Sequence, residues 1–231
     1  MPHNFSQIST IESAGLTKVF DDTLVKLAPV NAVVGFTDSA MLSGRSSRWS
    51  VLIVASGHVH TLVMNHDTQP YQALEPPIQP FFKPLAYALI LLRFDGYPCL
   101  FYGDLHGIKD EHPFPPSCGG ALPNLALARK LYAYGVQQDY FDSPTCIGWV
   151  RYGTWDRISG CAVLMSNAGP GEKRMHVGEV HAGEVWTDVL GWETPEVVTG
   201  KHGLGVFICP GTSVCLWVSK DADGRDGFGR L

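Results

Sequence analysis

Between residues 61 and 104 the chain runs through an apolar strand, an apolar helix and a second apolar strand, an order that leaves few folds open. The segment "TLVMNHD" (61–67) is a continuous apolar run that stops in polar residues. "PFFKPLAYALILLR" (80–93) then carries Leu85, Leu89 and Leu92 at helical spacing, with Pro84 suited to the first turn. "GYPCLFYGD" (96–104) follows as a turn, an apolar strand and another polar end. Strand, helix and strand over so short a span form a βαβ unit, which implies two parallel neighbouring strands. In such folds the carboxyl ends of the strands face the ligand site. Asn65-His66-Asp67-Thr68-Gln69 and Tyr102-Gly103-Asp104 are therefore the candidate functional strand ends. On spacing alone, a capping or turn role for Asn65 and Asp67 fits as well, since both residue types favour strand ends.

A second helical pattern covers 123–134, and Gly135 suits its C-cap. Beyond it the chain changes character. The runs "CIGWVRYG", "CAVLMSN", "KRMHVG", "EVWTDVL", "PEVVT", "LGVFIC" and "SVCLWV" recur with turn signals between them. They predict an all-β Greek-key sandwich over 137–219, ending in a frayed polar tail, 220–231. Trp149, Trp186 and Trp217 lie on these runs, where packing in the core is expected. One stretch, 34–60, fits neither half: it is Ser- and Gly-rich, lacks periodicity and precedes a buried strand. It is expected to be an insert foreign to the fold, such as translated intron, with an added hairpin or loop as the competing explanation.

Seventeen Lys and Arg stand against 22 Asp and Glu, a net charge of −5, and no basic cluster exists to meet phosphates, so nucleic acid is not an expected partner. The apolar run 84–92 is too short to span a bilayer, so no membrane partner is expected either. "PHNFSQIST" after Met1 has neither a positive start nor an apolar stretch, and a cytoplasmic location is expected. Six cysteines without CxxC spacing predict buried free thiols rather than zinc or a disulfide framework.

Taken in order, "VMNHDTQP", "FFKPLAYALILLR", "GYPCLFYGDLHGI", "LALARKLYAYGVQQDYFD", "CIGWVRYG", "GPGEKRMHVG" and "GEVWTDVLGW" resemble the α-amylase family, glycoside hydrolase family 13. The resemblance is to the liquefying bacterial and intracellular fungal type. It implies the last strands of a (β/α)8 barrel over 1–136 (an α/β barrel fragment), "TLVMNHD" and "PCLFYGD" being strands seven and eight, followed by the β-sandwich. It also implies that His66 contacts the sugar at the cleavage point and that Asp67 is the third catalytic carboxylate. The substrate would be an α-glucan (starch, glycogen or maltodextrin), cut internally at α-1,4 bonds with retention. Asp139 lies where related enzymes place a calcium ligand, helped by the position of Asn167 and carbonyls near residues 13–15. His106 and His112 would rim the sugar cleft, while Lys83, Arg93 and Lys109 are expected to be solvated.

Retention requires two carboxylates about 5–5.5 Å apart, one nucleophile and one acid. The family segments that carry them are not in these 231 residues. Asp67 is neither, and nothing marks Asp104 for either role. The chain is therefore expected to be a C-terminal fragment, inactive alone, with a non-catalytic carbohydrate-binding or interaction module as the alternative. Protease is expected to remove what precedes Gly135 and to spare the sandwich.

Overall fold

Helix α1 (Lys83–Leu92) is apolar on every side, which only cover all round can satisfy, and nine of its ten residues are buried. Pro84 stands in its first turn, where no backbone N–H is needed. The computed structural model of the chain describes residues 33–34, 37–38, 49–50, 60–66, 68–72, 78, 80–94, 97–109, 111–143 and 145–229.

Three short strands form a parallel sheet beside α1. They are β1 (Val33–Val34), β4 (His60–Leu62) and β5 (Tyr97–Cys99), with β4 in the middle. Leu62 sits opposite Cys99, so the expected parallel pair is present, and β1 adds a third member on the other side. Among the described residues these strands form no closed barrel. Within 34–60, β2 (Thr37–Asp38) pairs antiparallel with β3 (Trp49–Ser50), and apart from Val34 of β1 and His60 of β4 the rest of that stretch lies outside the described residues. Two further helices follow β5: α2 (Tyr102–His106) and α3 (Leu122–Leu131). No helix among the described residues is long and apolar enough to cross a membrane.

The remaining strands are β6 (Gln137–Tyr140), β7 (Cys146–Arg151), β8 (Cys161–Ser166), β9 (Gly171–His176), β10 (Val185–Asp188), β11 (Val197–Val198), β12 (Leu204–Cys209) and β13 (Ser213–Ser219). Six form an antiparallel sheet in the order β11-β10-β13-β8-β7-β6, and β12 pairs with β9 as a separate ribbon. All residues of β7, β8 and β13 are buried. Their side chains alternate between two cores. Val150, Leu164, Cys215 and Trp217 pack under the ribbon with Met175 and Phe207. Trp149, Val163, Met165, Val214 and Leu216 pack instead with Leu85, Leu89, Leu92, Leu122 and Leu125 of the helices. The sheet is thus a middle layer, which explains why its strands read as unbroken apolar runs.

The C-terminal end of α1 is closed by the sandwich. Trp149 Nε1 and Arg151 Nη1 donate to the Leu92 carbonyl at 3.3 and 3.2 Å, and Arg129 donates to the Leu91 carbonyl at 2.6 Å. Carbonyls of a last helical turn have no partner within the helix, so these donors fix where α1 stops. The segment after β13 corrects the expectation of a frayed tail. Tyr132 donates to the Asp223 carbonyl at 2.9 Å, Phe228 stacks on Tyr132 and Arg225 bonds Thr187. Because one core runs across Gly135, limited proteolysis is expected to leave a resistant piece that begins near Phe82 and ends near Phe228. Initial cleavage at Gly135 with loss of the helices would contradict that shared core.

Candidate functional site

The polar end of β4 closes in a tight turn. Asn65 Oδ1 accepts from the Thr68 N–H and Thr68 Oγ1 accepts from the Asn65 N–H, both at 2.9 Å, while the Gln69 N–H donates to the Asn65 carbonyl at 3.0 Å. Thr68 is buried and His66 is exposed at the turn. Asn65 and Thr68 thus perform the turn role that their residue types favour. Asp67, the expected catalytic carboxylate, lies outside the described residues.

Asp104, expected at the polar end of the neighbouring strand, lies instead on the short helix α2 that follows β5, where it is 3% exposed and held by three donors. Lys83 Nζ and Ser117 Oγ each reach Oδ1 at 2.6 Å, and Tyr87 Oη reaches Oδ2 at 2.6 Å. Lys83 Nζ also donates to Ser117 Oγ at 3.0 Å and touches Met64 Sδ at 3.9 Å. This corrects the expectation that Lys83 is solvated: α2 brings a carboxylate against the first turn of α1. Burial, and then the Asp104 charge, push the Tyr87 hydroxyl far above the usual tyrosine range, so it stays a donor. Burial and Asp104 likewise push the Cys118 thiol up to about 12. The cluster ties the ends of β4, β5 and α1 together. With Asp104 closed in by donors, it stabilises the strand ends and offers no free nucleophile.

The segments that follow β4 and β5 also carry paired aromatic rings. Tyr71 stacks on His112 at 4.0 Å, with Phe114 at 6.0 Å, and Tyr102 lies 4.5 Å from His106. Tyr71 and Tyr102 are exposed. Both expected histidines therefore follow β5, His106 paired with Tyr102 of the same segment and His112 with Tyr71, which follows β4 and which the sequence pattern did not signal.

Arg93, expected to be solvated, is 5% exposed. Its Nη1 and Nη2 meet Asp139 Oδ1 and Oδ2 at 2.9 and 3.1 Å, and its guanidinium lies 5.1 Å from the Phe141 ring and 5.6 Å from the Trp149 ring. Gln137 adds a further donor to Asp139 at 2.8 Å. Calcium gathers about six to eight oxygen ligands. Both Asp139 oxygens are taken by a guanidinium, and no group of three or more His, Cys, Asp and Glu converges among the described residues. Asn167 Oδ1 is buried without a hydrogen-bond partner among the described residues, and residues 13–15 lie outside them.

No family model matches the chain. Over 172 residues it is 48% identical to the cytoplasmic α-amylase of Escherichia coli K12, covering 71% of this chain and 34% of that protein. It is 45% identical over 161 residues to the α-amylase of Geobacillus stearothermophilus, covering 69% of this chain and 29% of that protein. The chain thus spans about a third of the length of the curated relatives it matches. Among solved structures, truncated alternansucrase from Leuconostoc mesenteroides superposes with a TM-score of 0.55 at 14% identity, over 91% of this chain and 28% of that one. The α-amylase of Geobacillus thermoleovorans, crystallised with acarbose, gives 0.51 at 12% identity, over 71% of this chain and 39% of that one. At such identities the structural likeness concerns the fold alone.

Proposed function

We propose, from the homology of this chain to α-amylase family proteins over 71% of its length, that it carries the C-terminal third of an α-amylase-type glycoside hydrolase. The observation that carries this is the 48% identity over 172 residues, combined with a parallel strand pair followed by Asn65-His66 and by Asp104 on α2. In the complete enzyme the activity would be internal hydrolysis of α-1,4 bonds in starch, glycogen or maltodextrin. His66 would contact the sugar. Asp67 would favour the oxocarbenium-like transition state through charge and hydrogen bonds to sugar hydroxyls. Tyr71, Tyr102, His106 and His112 would offer ring faces to the glucan. Asp139 is assigned to the ion pair with Arg93, which a calcium ion would have to displace. A cytoplasmic location, as in the E. coli relative's name, accords with six free cysteines.

These 231 residues supply neither nucleophile nor general acid, so purified chain is expected to release no reducing sugar from soluble starch above a buffer control, with Asp67→Asn giving the same trace. Turnover that vanishes in Asp67→Asn would show that fewer carboxylates suffice. A second reading, glucan binding without turnover, is favoured by Trp155, which is 92% exposed on the turn between β7 and β8. Pelleting with insoluble starch in the same experiment separates the two: retention lost in Trp155→Ala supports binding, and an unretained chain removes it.

A further inference from the structure

Cys146 and Cys209 carry a separate chemistry, on the face of the six-stranded sheet opposite α1. Cys146 opens β7 in that sheet and Cys209 closes β12 in the ribbon, so the gap between the two layers separates their backbones. Their side chains meet in one core cluster. Gly171 on β9 is the cross-strand partner of Cys209, and its missing side chain provides the room. A Cβ on Gly171 would lie 2.4 Å from Cys146 Sγ and 3.7 Å from Cys209 Sγ. Both sulfurs therefore converge over a single Cα, and neither is bonded covalently.

We propose that Cys146 and Cys209 form an oxidation site that reacts with a hydroperoxide and closes a disulfide between the two layers of the sandwich. Cys146 is the attacking sulfur. It is the more exposed of the two, at 7% against 1%. The neighbouring Cys209 thiol, and then the Lys173 ammonium, favour its thiolate against the opposing effects of burial and of Asp142. Cys209 is pushed the other way, by its neighbour Cys146 and by burial. The Cys146 thiolate attacks one peroxide oxygen, the O–O bond breaks, and a sulfenic acid forms as hydroxide leaves and is protonated to water. Cys209 then bonds to the Cys146 sulfur, the S–O bond breaks, and the Cys209 proton departs with the hydroxyl as a second water. Two thiols and one hydrogen peroxide thus give one disulfide and two waters. Cys215 lies in the same core cluster, where burial and then the Asp188 carboxylate push its thiol well above the usual range.

The test is hydrogen peroxide added to the whole folded chain, followed by denaturing alkylation and peptide mapping. The expected product is about 2 Da lighter and contains a peptide linked through Cys146 and Cys209, reversed by dithiothreitol. Cys146→Ser and Cys209→Ser each remove the link, whereas Cys215→Ser keeps it. Recovery of Cys146 and Cys209 as separately alkylated residues, or a link between Cys209 and Cys215, would overturn the proposal. Mapping of the unsubstituted chain decides the matter even where a serine variant fails to fold.

Discussion

Gly135→Ala is expected to lower the unfolding free energy by about 4 kcal/mol and the midpoint temperature by roughly 10 °C, although it adds only one methyl group. Gly135 has a φ of +78°, and a Cβ there would lie 1.7 Å from the Gly153 carbonyl oxygen. Neither backbone can yield cheaply. The Gly153 and Tyr152 N–H groups donate to the Tyr134 and Val136 carbonyls at 3.0 Å each, and Arg151 donates to the Gly135 carbonyl at 3.1 Å. Moving either strand opens the junction between the helices and the sheet. Gly183 supplies the control, because its φ is also +78° but nothing among the described residues lies within 4 Å of its added methyl. Gly183→Ala is expected to cost only about 1–2 kcal/mol. Urea unfolding of both variants checks the contrast. Equal losses would mean that backbone angle alone, and not the approach to Gly153, sets the requirement for glycine.

Asp104→Ala is expected to cost about 3–5 kcal/mol, the scale for removing one member of a buried ion pair. The change would strand the Lys83 ammonium and the Tyr87 and Ser117 hydroxyls where the carboxylate oxygens had accepted from all three. Lys83→Met combined with Asp104→Leu should recover much of the loss, because an apolar pair leaves fewer orphaned charges. Thermal melts of the single and double variants measure this coupling. A loss under about 1 kcal/mol for Asp104→Ala would sink the view that these contacts hold the two strand ends together.

How far the fold can be read from sequence varies with the range of the interaction. Helix α1 and the seven apolar strands announce themselves because each carries its own hydrophobic pattern. Strand β6 does not: "QQDY" is polar and sits at the sheet edge, where its pairing with β7 supplies the only regularity. Lys83 and Arg93 look solvated because their carboxylates are 21 and 46 residues away along the chain, and only the packing of α2 and β6 brings them near. The tail misleads in the same way. "KDADGRDGFGRL" has no periodicity, and what holds it is the stacking of Phe228 on Tyr132, a contact across the fold. Within the candidate site, the turn chemistry of Asn65 was legible from residue type, whereas roles for His66 and Asp67 came only through family resemblance. Tyr87 and Ser117 gave no signal, since an aromatic on a buried helix and a serine in a loop are ordinary until a carboxylate faces them.

The tryptophans divide by environment, and this gives the molecule two optical reporters. Of the five whose side chains are described, Trp149, Trp186 and Trp217 are fully buried, Trp192 is partly covered and Trp155 is almost wholly in solvent. Interior indoles emit toward the blue and are shielded from iodide, while an indole in water emits toward the red and is quenched on collision. Red-edge emission that iodide extinguishes therefore reports on whatever approaches the turn between β7 and β8. The blue, iodide-resistant band follows only the integrity of the layers beneath, so contact at the surface and loss of the fold can be read separately in one sample.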